Sequence, residues 1–167
     1  MGTSRDDAVA FVEGYGRTWE RWDLSAWGDL FTDDVVYVEH PTQRPVVGRA
    51  ELEAYFRKEA AEQGAVSVRM GSPVVEGNRV AGEFWVTATS ESEPATLVGG
   101  FIAQLEPDGR CSHFREYWFY VEGEAAPAYD GWGDYRGRPA GRAIALRSVR
   151  VVGAGAGCPT GGASPRG

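Results

Sequence analysis

Residues 79–121 read RVAGEFWVTATSESEPATLVGGFIAQLEPDGRCSHFREYWFYV, and the fold turns on this stretch. Three runs, 79–90, 95–106 and 110–121, are dense in β-branched and aromatic residues, the composition that suits a pleated, half-buried surface. Ser92-Glu93-Pro94 and Pro107-Asp108-Gly109 punctuate them with turn-forming residues. A fourth run at 66–75 precedes them across Glu76-Gly77-Asn78. Three consecutive hairpin links predict a four-stranded antiparallel meander. Gly71, Gly82, Gly99 and Gly100 fall inside these strands, where glycine marks a bend or bulge, so the sheet is expected to curl.

Helical patterning precedes the meander. Ser4 followed by Asp6 and Asp7 signals a helix start, with acids at the positive end of the dipole. Ala8, Phe11, Tyr15, Trp19 and Trp22 then recur at three- and four-residue spacing, one apolar face of a helix of about five turns. Asp23 can cap a shorter helix through Trp27, Leu30 and Phe31. Val35 to Glu39 reads as a short strand able to join a sheet edge. Gly48 leads into a third helix over 49–63, with Leu52, Tyr55 and Phe56 on its buried side. Helices first and a curled antiparallel sheet after them predict one α+β domain over residues 1–122, with a cavity at the open end of the curl.

After Glu122 glycine, alanine, proline and arginine dominate. Residues 123–167 are expected to be a disordered tail, although Tyr129, Trp132 and Tyr135 could fold back and 144–152 alternates weakly. The formal charge is −7, with the acids concentrated before residue 122 and arginine in excess after it. An acidic body disfavours a phosphate backbone, so no nucleic-acid partner is expected. No run reaches the roughly 18 apolar residues of a membrane span, and the amino terminus has no apolar leader, so no membrane association is expected. Two cysteines, Cys111 and Cys158, give no disulfide framework, which suits a reducing, cytoplasmic compartment.

Strand alternation sorts the candidate site residues. Phe114, Glu116, Trp118 and Tyr120 share one face of the last strand, and His113, Arg115, Tyr117 and Phe119 the other. A carboxylate between aromatics is desolvated, and its pKa rises toward the range of a general acid or base. Tyr37 and Glu39 likewise share a face of their strand. His40, a residue type suited to proton transfer, sits beside them, although alternation turns it away from Glu39. Tyr15, with Trp19 and Trp22, lies on a helix stripe that is either plain core or pocket wall. Trp85 and Phe101 are expected as further walls. No paired histidines point to a metal, and no nucleophile elbow or activated cysteine points to acyl chemistry.

Residues 8–121 resemble the nuclear transport factor 2-like superfamily, in particular its SnoaL-like branch of polyketide cyclases. The resemblance rests on Trp22-Asp23-Leu24, Leu30-Phe31-Thr32-Asp33-Asp34-Val35-Val36-Tyr37, Gly48-Arg49, Asp108-Gly109-Arg110 and Phe114-Arg115-Glu116-Tyr117-Trp118. It implies a cone-shaped, cystatin-like α+β roll, a curved and mostly antiparallel sheet wrapped round the amino-terminal helices. By similarity to limonene epoxide hydrolase-like members, Tyr37 and Glu39 fall on the polar positions of the first strand and Glu116 on the last-strand carboxylate. The Arg-x-Asp pair of those enzymes has no counterpart, the nearest stretch being Glu83-Phe84-Trp85. By similarity to ketosteroid isomerase-like members, Tyr15 matches a pocket tyrosine and the base falls at Glu39 or His40. Their oxyanion-hole aspartate falls at Phe101.

These readings predict a cofactor-independent, metal-free acid/base enzyme acting on a small hydrophobic molecule, polyketide- or terpenoid-like, as a cyclase, isomerase or dehydratase of secondary metabolism. Glu39, Glu116, His40, Tyr15 and Tyr37 are the expected catalytic residues. Trp19, Trp22, Trp85, Phe101, Phe114 and Trp118 are the expected substrate contacts. The alternative is a non-catalytic small-molecule-binding or dimerisation module of the same fold. The resemblance also implies a homodimer through the outer sheet face, where Arg115, Tyr117 and Phe119 lie.

Overall fold

In the computed structural model, residues 3–90, 93–128 and 131–134 are described. Helix α1 spans Arg5–Arg21 and opens on a capping box. The Ser4 hydroxyl accepts from the Asp7 backbone N–H, and the Asp7 carboxylate accepts from the Ser4 N–H, both at 3.1 Å. It stops at Trp22, whose left-handed backbone (φ 51°) turns the chain at once into α2, Leu24–Gly28, capped by Asp23.

The strand expected at 35–39 begins earlier. β1 spans Phe31–Val38, and Phe31 already belongs to it rather than to the preceding helix. Its pairing shifts register between Phe31 and Val36. This irregularity leaves Asp33 and Asp34 in solvent. Arg49 ties it down, donating to the Phe31 carbonyl at 2.8 Å and pairing with Asp33 at 3.0 Å. A two-residue strand β2, Val46–Val47, follows, then α3, Arg49–Glu62.

The meander is β3 (Val66–Met70), β4 (Val74–Glu76), β5 (Arg79–Ser90), β6 (Glu93–Leu105) and β7 (Cys111–Glu122). The run at 66–75 is two strands, broken by Gly71-Ser72-Pro73. The β5–β6 turn is tighter than Ser92-Glu93-Pro94 implies, because Glu93 pairs with Ser90. The sheet order is β2-β1-β7-β6-β5-β3, with β4 also on β5. β1 runs parallel to β7, with Tyr37 beside Phe114 and Val38 beside Arg115. The sheet is curved and unclosed, and α1 and α3 pack on its inner face, giving the expected α+β class.

The core fills the narrow end. Phe11, Phe31, Phe101 and Phe114 are each 3% exposed or less, and Phe101 and Phe114 stack with centroids 4.9 Å apart. Gly82 faces Phe101 across the β5–β6 ladder. A Cβ there would lie 2.6 Å from Phe101 Cζ, so the ring can lie across the strand because position 82 has no side chain. Cys111 is free and buried, and Cys158 lies outside the described residues.

The chain beyond residue 122 does not leave the body at once. Thr96 Oγ1 donates to the Gly123 carbonyl and accepts from the Ala125 N–H, both at 2.9 Å. Ser72 N–H donates to the Gly133 carbonyl at 2.6 Å. Trp132 sits edge-on to Trp85, centroids 5.6 Å apart, and under the Arg69 guanidinium at 5.4 Å. Part of the stretch expected as tail is therefore laid along the sheet. Tyr129, Tyr135 and the weak alternation at 144–152 lie outside the described residues, as does the expected disorder of 135–167.

The Gly82–Phe101 contact makes a testable demand. Gly82→Ala should destabilise the protein by about 1–3 kcal/mol, measured by urea denaturation. Unchanged stability would mean that Phe101 can move aside without loss.

Candidate active site

Three elements converge on one carboxylate. Tyr15 lies on the core-facing stripe of α1, Tyr37 on the inner face of β1, and Glu116 on the inner face of β7. The parallel β1–β7 register sets Tyr37 beside Phe114, with which it stacks at 5.1 Å, and so brings its phenol to the next inward residue, Glu116. Tyr15 donates to Glu116 Oε1 at 2.5 Å and Tyr37 donates to the same oxygen at 3.0 Å. The two phenol oxygens are 3.1 Å apart. Oε2 receives no hydrogen bond from the described residues, and Glu116 lines the cavity above.

Glu116 is 4% exposed, and Tyr15 and Tyr37 are 1% and 2% exposed. Burial pushes the Glu116 carboxyl up to about 7, against the pull of the two phenols, which favour the ion, and with a further push from Glu39. Burial and the Glu116 charge hold both phenols well above the ordinary tyrosine range, so they remain donors. Glu39 follows the last paired residue of β1, one step up the same inner face.

The cavity has a volume of about 100 Å³. Trp19 of α1 and Trp22 at its C-cap close it on one side, Phe84 and Leu97 from the sheet, and Trp118 from β7. Helix α3 supplies the remaining wall with Tyr55, Phe56 and Glu59, joined by its C-cap residue Gln63. Burial, then Glu39, pushes the Glu59 carboxyl up, and Gln63 Nε2 donates to Glu59 Oε2 at 3.0 Å. A larger hollow of about 200 Å³ lies on the outer sheet face by Arg79, His113 and Arg115, and none of the three carboxylates lines it.

Of the expected site residues, Tyr15, Tyr37, Glu39, Glu116, Trp19, Trp22 and Trp118 come together around the cavity. Three expected walls do not. Trp85 points to the outer face, where its indole N–H donates to the Ala125 carbonyl at 3.2 Å, and Phe84 takes the inner position. Phe-Trp-Val at 84–86 is apolar on both faces, because the returning chain covers the outer one, so alternation could not tell them apart. Phe101 and Phe114 lie in the core beneath Glu116 and do not line the cavity. His40 stands outside it, with Nδ1 2.8 Å from Thr42 Oγ1 and its ring 6.4 Å from Trp118. His113 is on the outer face beside Ser112.

Glu59, Tyr55 and Gln63 are site residues that strand alternation and the family motifs do not mark, yet their spacing carries a signal. Glu59 lies four residues after Tyr55 and three after Phe56, and Gln63 four after Glu59, so all continue one helical stripe. Among the described residues no group of three His, Cys, Asp or Glu side chains could hold a metal ion.

The curved, unclosed α+β sheet with helices on its inner face is the fold class to which the comparisons also point. The SnoaL-like domain profile matches residues 12–152, and the chain belongs to that family. No curated protein sequence gives a significant match. Solved structures share the fold. One is the epoxide hydrolase/cyclase-like enzyme SalBIII of pyran ring formation in the polyether salinomycin, with 19% identity, TM-score 0.61, 68% of this chain and 91% of that chain covered. An LEH-like epoxide hydrolase from M. tuberculosis is similar at 18% identity and TM-score 0.59, over 68% and 83% of the two chains. A ketosteroid isomerase-like protein from Catenulispora acidiphila, solved with trimethylamine, matches at 18% identity and TM-score 0.59, over 64% and 83%. At these identities the likeness is one of fold.

Two measurements follow from the buried carboxylate. The folded value of Glu116, about 7, lies above its ordinary 4.5. The folded state therefore holds a proton that the unfolded chain has released. Its contribution to stability is fully present below about pH 4.5 and is lost as pH rises through about 7, up to about 3 kcal/mol in all. Glu116→Gln should flatten that part of the stability-versus-pH curve; an unchanged slope would contradict the assignment. Tyr15→Phe, which removes a donor to the ion, should raise the Glu116 pKa further in a carboxyl-carbon NMR titration.

Proposed function

We propose that the protein is an acid/base enzyme acting on a small molecule, with Glu116 as the group that takes and returns the proton. One observation carries this: a carboxylate removed from water has one oxygen fixed by two phenols, while the other has no described donor and its side chain lines a cavity. A pKa near 7 leaves both protonation states populated at neutral pH, the condition under which one group serves as base and then as acid. Oε2 would accept a proton from a substrate C–H or O–H. Tyr15 and Tyr37 would hold Oε1 in place and disperse the charge that forms. Their protons are committed to Glu116, so in this state they act as positioning residues rather than as free donors to a substrate oxyanion. Glu39, adjacent and half-buried, would be the second carboxylate, its charge opposing ionisation of Glu116.

Cyclisation, isomerisation and dehydration all need such a transfer, and the SnoaL-like family membership agrees with a small-molecule enzyme. The family resemblance supports a hydrophobic polyketide- or terpenoid-like substrate. The reading is tested with a panel of small cyclic ketones, epoxides and hydroxyketones followed by NMR in deuterated water, which registers proton exchange even without net product. Glu116→Gln should lower exchange or turnover by about 10²–10⁴-fold, and the wild-type rate should inflect near pH 7. A folded Glu116→Gln variant with wild-type rates across the panel would remove the role.

The outer sheet face leaves Tyr117 and Phe119 49% and 60% exposed, and this supports a homodimer formed there. Sedimentation velocity at micromolar concentration should give twice the 18.1 kDa chain mass; a monomer would exclude that assembly.

A further inference from the structure

The cavity has a charge pattern that proton transfer alone does not require. Three carboxylates line it from three elements: Glu39 after β1, Glu59 on α3 and Glu116 on β7. No lysine, arginine or histidine is among its lining residues. Lys58 reaches Glu59 only from the exposed side of α3, with Nζ 3.9 Å from Oε1. The other titratable groups facing Glu116 are phenols, Tyr15 from α1, Tyr37 from β1 and Tyr55 from α3. The cavity is thus acidic, without an internal counter-charge among the described residues.

An apolar guest would deepen that imbalance, because it displaces water and leaves ionised carboxylates against hydrocarbon. A cation would relieve it. The walls fit a cation as well: Trp19, Trp22 and Trp118 line the same space, and indole faces attract positive charge through their quadrupole. The separated carboxylates do not close into a metal-binding group, so the charge must arrive on a body wide enough to reach more than one of them. A volume of about 100 Å³ suits a small head group. Trp22, Glu39 and Gln63 are half-buried at the rim, where the rest of a larger molecule can leave.

We infer that the cavity takes the positively charged nitrogen of an alkylammonium group, selected by Glu39 and Glu59 against the tryptophan faces. The inference rests on the reading of this cavity as the substrate site and narrows the substrate class, from a wholly apolar molecule to one that presents an ammonium head group to the cavity. The acid/base chemistry then operates on the carbon or oxygen that the bound ammonium group presents to Glu116.

The test compares choline with its uncharged isostere 3,3-dimethyl-1-butanol by titration calorimetry on the full chain, at pH 7 and matched ionic strength. Choline should bind at least tenfold more tightly. Glu59→Gln and Glu39→Gln should each weaken choline several-fold and leave the alcohol unchanged. Choline should also expel a fraction of a proton, because a cation beside Glu116 favours its ionised form, and the heat should then vary with the ionisation enthalpy of the buffer. Equal or tighter binding of the alcohol, binding of neither probe, or full choline affinity in both Gln variants would overturn the inference. These measurements need no turnover. Failure here alongside a Glu116-dependent exchange reaction would leave the acid/base reading intact. Selective choline binding with exchange indifferent to Glu116→Gln would do the reverse.

Discussion

A carboxyl group taken out of water must be met by donors or stay protonated, and the inner architecture is arranged round that constraint at Glu116. Leaving an ionised carboxylate unpaired in an apolar interior costs several kcal/mol. Two phenols on one oxygen recover part of this, and the remainder appears as a pKa lifted to about 7. Each phenol comes from a different element, so α1, β1 and β7 must be correctly placed together. Phe101 and Phe114, stacked beneath, make the floor on which the carboxylate stands. The residues beneath Glu116 thus serve packing, and the residues above it are those a ligand can reach.

Local patterning exposed much of this. The Ser4 and Asp7 cap, the α1 stripe through Trp19, the hairpin turns and the inward face of β7 are all set by neighbours within four residues, and each is legible as spacing. The pairing of β1 with β7 is not local. It joins residues more than 70 positions apart in parallel, and nothing in the sequence of Val35 to Glu39 names its partner. The family resemblance implied one pocket for Tyr37 and Glu116, but their hydrogen bond follows from the β1–β7 register and from nothing legible in the sequence.

The misplaced residues have physical explanations as well. Trp85 looks like a wall because it is aromatic and next to Phe84, yet adjacent strand residues point to opposite faces. The outer face holds a tryptophan because the chain returns to cover it, a contact made by residues far downstream. Glu59 is hidden in the sequence for the opposite reason. A charged residue near the end of a helix reads as solvated surface, and only its continuation of the Tyr55–Phe56 stripe reveals that it turns inward.

The returning strand of chain also bears on where this protein ends as a physical object. Severing it after Glu122 would strip the indole N–H of Trp85 of its acceptor, take away the acceptor and donor that Thr96 engages, and bare a tryptophan face to water. Composition draws the border at 122, while packing carries it at least to Asp134. A fragment meant to keep the sheet covered must include the Gly-Trp-Gly turn at 131–133, however much the sequence there looks like linker.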